Sequence, residues 1–440
     1  RMLSIFRMIK SFFGIIFFSI AMSYGAVSAQ VEIEIIADEG AKIPITVLPF
    51  EGEGDQAKLI SEIISSDLAK TGIFAIQSFD KSWSRSKLGD DADYTNWASR
   101  VVQNLVVGNF VKLDDGRLQA AFWLYDIPGQ AMSVGYQIKD DPKQVRQMAH
   151  HFADLIYEKL TGDKGVFRTK IAYVVSKKDQ SALVIADSDG HNPNEVFASK
   201  EPILSPRWSP DGSKIAFVSF LKRKAAVYVT PVNYKKGRAT GKSIVIGPFP
   251  GSNSAPAWSP DGQSLAIAIS KDGKSDIFMV SLRDQSRVQI TNNRSINTEP
   301  NFSHDGKTLL FTSDRTGRPQ VYQVPVQGGT EVRLTYTGRY NASPHFSPDD
   351  SFIALIHYDE RKFNVGMQDM KSGVVQILTD GSRDQSPSIA PNGKVIVYAS
   401  EANGRGILRF VAKNGRAKLR YVGPKGDDLR EPSWGPFIKD

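Results

Sequence analysis

The sequence predicts an α/β N-terminal domain followed by an all-β six-bladed propeller of WD40-like repeats. Three observations carry that expectation. A seven-residue Pro-x-aromatic-Ser-Pro-Asp-Gly motif recurs through the second half, its copies stand 43 to 50 residues apart, and the net charge changes sign near Gly162.

The motif is clearest at Ser205-Pro206-Arg207-Trp208-Ser209-Pro210-Asp211-Gly212 and again at Ala255 to Gly262. Weaker copies run from Glu299 to Gly306 and from Ser343 to Asp350, and degenerate ones from Ser386 to Gly393 and at Glu431-Pro432-Ser433-Trp434. Their leading prolines, at 206, 256, 300, 344, 387 and 432, give intervals of 50, 44, 44, 43 and 45. That period fits a four-stranded propeller blade. Each motif is followed by a short apolar run such as Lys214 to Ser219, Leu265 to Ser270 or Thr308 to Ser313, where a helical solenoid would need a longer amphipathic stretch. Asp-Gly supplies the φ > 0 residue of a tight hairpin, so the repeated Asp residues read as turn formers rather than catalysts.

The two ends of the array complement each other. Lys170 to Ser176 has the strand character of the other runs but lacks a motif before it, while the Trp434 copy has no strand after it. The C-terminal segment is therefore expected to complete the first blade and close a ring of six with no exposed sheet edge.

Residues 30–162 read as the α/β domain and 163–440 as the propeller. Between Gln30 and Thr161 there are 13 Lys and Arg against 20 Asp and Glu, a net −7; from Gly162 onward there are 39 against 27, a net +12. Lys42 to Phe50 reads as a buried strand, and Leu59, Ile60, Ile63, Ile64 and Leu68 share a helical face. Asp114-Asp115-Gly116 marks a hairpin, and a last helix is expected from Pro142 to Leu160 with Val145, Met148, Ala149, Phe152, Leu155 and Ile156 inward. The basic residues of the propeller are scattered rather than interleaved with aromatics, which argues against nucleic acid.

Residues 1–29 combine Arg1, Arg7 and Lys10 with an apolar stretch from Phe12 to Met22 and the small residues of Val27-Ser28-Ala29. They read as a secretory signal peptide, cleaved between Ala29 and Gln30, and too short in its apolar run for a bilayer span. Export to the periplasm without direct membrane insertion is the expectation. With 0 Cys in the chain there are no disulfides, thiolate metal sites or Cys nucleophile.

No G-x-S-x-G, H-E-x-x-H, P-loop or C-x-x-C motif occurs, and the 6 histidines fall at non-equivalent positions without metal-ligand spacing. Neither a metal nor another cofactor is expected, and a binding protein rather than an enzyme is the reading. The candidate surface consists of the residues just before each repeat proline: Leu204 and Ser205; Ser252, Asn253 and Ala255; Asn297, Thr298 and Glu299; Arg339, Tyr340 and Asn341; Arg383, Asp384 and Gln385; and Arg430. Loops converging on one ring form an annulus able to grip a protruding segment of a partner. Ordinary solvated turns are the alternative at this stage.

The signal-like start, the α/β region and the SPDG repeats together resemble the TolB family of the Tol-Pal envelope system. Family-like stretches include Phe167-Arg168-Thr169-Lys170-Ile171-Ala172-Tyr173, Glu201-Pro202-Ile203-Leu204-Ser205-Pro206, Asn297-Thr298-Glu299-Pro300, Gly317-Arg318-Pro319-Gln320-Val321-Tyr322 and Ala390-Pro391-Asn392-Gly393. The resemblance implies a periplasmic adaptor that supports outer-membrane integrity and invagination during cell division and is exploited in bacteriocin (colicin) import. It implies that the lipoprotein Pal enters the propeller mouth, a role carried by motif position onto Ser252, Asn253, Ala255, Asn297, Thr298 and Glu299. It also implies that TolA recognises the mature N-terminus, here Gln30, Val31, Glu32, Ile33, Glu34, Ile35 and Ile36. That alternating segment suits β-addition to a sheet edge; an edge strand of the α/β domain is the rival reading. Other outer-membrane or peptidoglycan-associated proteins are further partners of this kind.

Two alternatives stand beside the adaptor. A periplasmic propeller enzyme such as a lyase would need convergent acid and base groups, for which Glu299, Asp384 and Glu431 are the candidates. The propeller of a prolyl peptidase would need a hydrolase domain, and none is expected after Asp440.

Overall fold

The computed structural model describes residues 31–32, 42–52, 54–80, 93–359, 361–415, 418–421 and 427–437, with backbone alone for 31–32 and 418–421. The expected signal peptide, its Ala29/Gln30 cleavage point, and Ile33, Glu34, Ile35 and Ile36 lie outside these residues.

Two units follow one another, an α/β domain and a six-bladed propeller. The first is a five-stranded sheet in the order 74–76, 43–47, 104–112, 118–126, 131–140, in which Ile43–Val47 pairs in parallel with both neighbours and the rest is antiparallel. Helices α1 (Asp55–Lys70) and α3 (Val145–Thr161) cover one face, burying Ile60, Ile64, Leu68, Met148, Phe152 and Ile156 against it. A short α2 (Tyr94–Ser99) plants Trp97 on the other. The Asp114 hairpin and the last helix stand where the sequence places them, and Asp141 accepts the backbone N–H of Lys143 (2.8 Å) behind Pro142. Strand Ala131–Asp140 has no sequence signal because much of it is exposed, so no apolar alternation marks it.

Each blade is an antiparallel sheet whose innermost strand carries the motif. Counting from the N-terminus, blades 2 to 6 begin at Ile203, Ser252, Asn297, Tyr340 and Gln385. Blade 1 takes its innermost strand, Asp428–Trp434, from the far end of the chain, paired with Lys170–Lys177. The six-bladed ring closes as the motif arithmetic predicts. Trp434, 9% exposed, donates its indole N–H to Thr169 Oγ1 (2.8 Å) and stands edge-on to Phe410.

The turn chemistry recurs in four blades. Ser209 Oγ donates to Asp211 Oδ1 (2.6 Å) and accepts from Lys214 N (2.9 Å), while Asp211 Oδ1 accepts from Ser213 N (3.0 Å). Ser259 with Asp261, Ser303 with Asp305 and Ser347 with Asp349 repeat the Ser-to-Asp bond. The Asp residues are turn formers, as their position before Gly suggests.

Gly162 ends α3 in the left-handed region at φ 79°, and the linker then enters both units. Phe167 packs in the α/β core and Val166 beside blades 1 and 6.

Trp434→Ala removes the packing and the hydrogen bond that hold the closing strand. A loss of about 3–5 kcal/mol is expected in urea unfolding of the full chain; a loss below about 1 kcal/mol would contradict closure through this strand.

Candidate functional site

Every innermost strand carries the same irregularity. Pairing skips two residues on the inner strand against one on its neighbour, between Leu204 and Arg207, Ser254 and Ala257, Thr298 and Asn301, Ala342 and His345, Gln385 and Ser388, and Arg430 and Ser433. This is a β-bulge, which bends the strand and re-aims its side chains. Its first residue is left-handed in all six copies, with φ of 52°, 48°, 54°, 52°, 51° and 52° at Ser205, Ala255, Glu299, Ser343, Ser386 and Glu431. Left-handed non-glycine residues cost roughly 1–2 kcal/mol each, so six in register are held by the fold. These six residues line the central channel.

The bulge sorts the candidate residues into two tiers. Three residues before the proline, Asn253, Asn297, Asn341 and Asp384 are buried. Asn253 donates to the carbonyls of Phe249 (3.1 Å) and Gly251 (3.2 Å), Asn297 to Asn293 Oδ1 (3.0 Å), and Asn341 to Thr337 O (2.9 Å) and Gln320 Oε1 (2.9 Å). Asp384 accepts from Thr379 (2.5 Å) and Ser400 (2.7 Å), and burial raises its carboxyl pKa. Their side chains tie the blade-linking loops to the ring. Leu204, Ser252, Arg339, Arg383, Gln385 and Arg430 are exposed on the open face, with Ser205, Ala255, Thr298, Glu299 and Tyr340 half-buried inside the rim. Val31 and Glu32 pair with Tyr421 and Arg420 on the outer edge of blade 6, not with the α/β sheet that the rival reading proposed.

Below the mouth the channel is polar. Glu299 accepts the Ser343 N–H (2.8 Å) and hydroxyl (2.6 Å) and the Thr312 hydroxyl (2.7 Å), bracketing blade 4 to blade 5; Glu431 accepts Ser205 N (3.2 Å), joining blade 1 to blade 2. Arg207 also lines this chamber and contacts His345 Nε2 at 3.5 Å. Burial lowers the Arg207 pKa against the opposing pull of Glu431 and Glu299, and burial beside Arg207 holds His345 well below the usual histidine range. Glu299 and Glu431 share the channel with Arg207, each engaged in a bracket between two blades, while Asp384 is buried beneath its own blade-linking loop. Among the described residues no group of three or more His, Asp or Glu is placed to hold a metal ion. Arg207 and His345 escape a sequence reading because they occupy the motif's variable position.

A second cluster joins the two units at the other end of the inner strands. Asp189, in the turn after blade 1 strand Gln180–Asp187, enters a notch of α3, where Arg146 Nη2 contacts Oδ2 and His150 Nε2 lies at 3.3 Å. His150, fully buried, places its Nδ1 2.5 Å from Asp67 of α1. Burial alone would lower its pKa, but Asp67 and Asp189 hold it up at about 10, and the hydrogen bonds from His150 and His191 keep the Asp189 carboxyl well below its ordinary value despite burial. Asp163–Lys394 (3.0 Å) and Lys164 O accepting from Asn392 Nδ2 (2.9 Å) extend the contact to blade 6. The α/β domain thus sits on the motif-turn face and leaves the mouth face open.

Comparison with known proteins finds two family profiles on this chain: the TolB amino-terminal domain over residues 31–132 and the TolB beta propeller domain over residues 157–438. The Tol-Pal system protein TolB of Methylobacillus flagellatus is 42% identical over 98% of this chain and 99% of its own length, and that of Nitrosomonas europaea 43% identical over 93% and 95%. The crystal structure of TolB from Acinetobacter baumannii superposes with a TM-score of 0.84 at 34% identity, covering 93% of this chain and all of that one.

The interdomain cluster gives a pH dependence of definite sign. The His150 pKa is raised on folding, so its contribution is fully present below pH 6.5 and is lost as pH rises through about 10. The thermal midpoint of the chain is expected to fall across that window, with a flatter profile in His150→Gln; equal slopes would contradict a charged His150. Asp189→Ala, which strands Arg146 and His150, is expected to cost about 3–5 kcal/mol.

Proposed function

The chain belongs to the TolB family of the Tol-Pal system, and from that membership we propose that it is a periplasmic, non-enzymatic adaptor that receives Pal at the propeller mouth and presents its N-terminal segment to TolA. The observation that carries the reading is the shape of the open face. Six bulged strands deliver exposed entry residues around a recessed polar channel, while the α/β domain occupies the opposite face. Buried Asn253, Asn297, Asn341 and Asp384 hold the annulus in place from beneath, leaving Ser252, Thr298, Arg339, Tyr340, Gln385 and their neighbours to make contact.

Blade 6 links the two proposed sites. Gln385 at the mouth stands opposite Ala399, Ala399 opposite Leu408, Leu408 opposite Tyr421, and Tyr421 opposite Val31. A partner that shifts the inner strand of this blade acts on the row that ends at the N-terminal strand. Binding at one site and release at the other are then reciprocal, with coupling of typically 1–3 kcal/mol. A strand added at a sheet edge is readily exchanged for pairing with another protein. In this role the chain would support outer-membrane integrity and invagination during division, and a bacteriocin of the colicin type could occupy the mouth in place of Pal.

Calorimetric titration of the chain from Gln30 to Asp440 with soluble Pal of the same organism tests the reading. Saturable binding is expected, weakened tenfold or more by Ser252→Arg and Thr298→Arg without loss of thermal stability. Glu299 is a poor probe, since replacing it also breaks the blade 4 to blade 5 bracket. Removal of residues 30–36 is expected to abolish TolA binding and to alter Pal affinity. Absence of Pal binding in the parent chain would reject the adaptor reading.

A further inference from the structure

The mouth face differs in charge from the rest of the propeller. It is built from the hairpins between the second and third strands (177–180, 220–225, 271–274, 314–319, 359–362, 401–405) and the blade-linking loops (200–202, 247–251, 291–296, 335–339, 379–385, 427–430). Among the described residues of these segments, fifteen Lys and Arg are exposed against six Asp and Glu. The motif-turn face, counted over 187–194, 209–213, 233–243, 259–263, 281–286, 303–307, 325–331, 347–351, 369–374, 390–394 and 412–415, shows seven against five. The net +12 of residues 162–440 is thus weighted toward one side of the propeller.

The pattern within the face is also uneven. Lys222, Arg223 and Lys224 stand side by side at a hairpin tip, all exposed, and Arg294, Arg318 and Arg339 point from neighbouring loops. None of these six makes an ion pair among the described residues. Adjacent unpaired cations repel one another, a cost that a complementary surface removes. Between them lie exposed apolar side chains, Leu221 (48%), Ile296 (48%), Leu204 (39%) and Tyr336 (71%). Apolar and aromatic anchors inside a charged rim around a concave opening have the composition of a protein interface.

We propose that the mouth face is matched to an acidic protein, a folded domain whose contact surface carries clustered Asp and Glu, and that the outer cations steer it onto the channel. The proposal rests on the adaptor reading and adds the chemistry that its partner must have. Long-range attraction between complementary faces acts mainly on the association rate and is screened by salt, because the Debye length shrinks from about 14 Å at 50 mM to about 6 Å at 300 mM. Lys222, Arg223 and Lys224 are not among the candidate contact residues, and Leu221 is left in place, so altering the three cations tests steering rather than fit.

The experiment measures association and dissociation of soluble Pal with the full chain, at 50 and 300 mM salt, for the parent and for a K222E/R223E/K224E variant. A K235E/K236E/R238E variant on the opposite face is the control. The parent is expected to lose about tenfold or more in association rate between the two salt concentrations. The hairpin variant is expected to associate about tenfold more slowly at 50 mM and nearly normally at 300 mM, and the control to match the parent. Binding that persists but ignores both salt and charge reversal overturns this proposal and leaves the adaptor reading intact. Absence of parent binding rejects both. A parallel arm uses vesicles containing 30% phosphatidylglycerol: if the hairpin variant loses vesicle binding while its Pal kinetics are unchanged, the cations serve a lipid surface and the proposal fails.

Discussion

The pairing of Asp428–Trp434 with Lys170–Lys177 is the constraint on which the rest of the molecule depends. It joins the two ends of a domain of nearly three hundred residues into one sheet and converts a row of blades into a ring. Without it two sheet edges would be open and the mouth would lack its sixth strand. It also fixes the α/β domain, because Thr169, which receives the Trp434 indole N–H, lies at the end of the linker that buries Phe167 on one side and Val166 on the other. Position and closure are therefore set by the same few residues.

The ring repeats one local distortion six times, and that distortion sets a ring of exposed side chains on a packing unit. A regular strand would alternate side chains between the faces of its blade. The bulge before each proline instead turns one left-handed residue toward the channel and leaves the residue two before it buried against its own blade-linking loop. Hydrogen bonding by the buried tier holds the loops still, so the exposed tier can vary without unfolding the blade. The division explains why Glu299 and Glu431 face the channel yet are occupied in bracing neighbouring blades. It also explains why one face can carry a strong excess of cations at little cost to the core.

Much of this was legible in the sequence because the signals are repeated. Six prolines at near-constant spacing give blade number and closure, and Ser-Pro-Asp-Gly gives the turn chemistry found in four blades. The mouth was legible as a location but not as a set of roles. Asn253, Asn297 and Asn341 share a position in successive repeats, and recurrence of one residue type at one position is the mark of a structural duty; the variable positions around them hold the more exposed side chains. Arg207 and His345 stood out in no pattern. The interface between the domains was hidden for a different reason: net charges of −7 and +12 suggest an acidic domain against a basic one, whereas the contact places Asp189 of the basic propeller against Arg146 and His150 of the acidic domain. Summed charge describes a surface at long range, and a buried contact is decided by three or four side chains.

The central claim is that the open face of the ring, with its bulged inner strands, is the surface a partner occupies. Hydrogen–deuterium exchange of the full chain with and without saturating soluble Pal tests it most directly. The account predicts slowed exchange in the blade-linking loops 247–253, 291–297 and 335–341 and unchanged exchange in the motif turns 209–213 and 259–263 of the opposite face. Protection confined to the motif turns or to the α/β domain would contradict it.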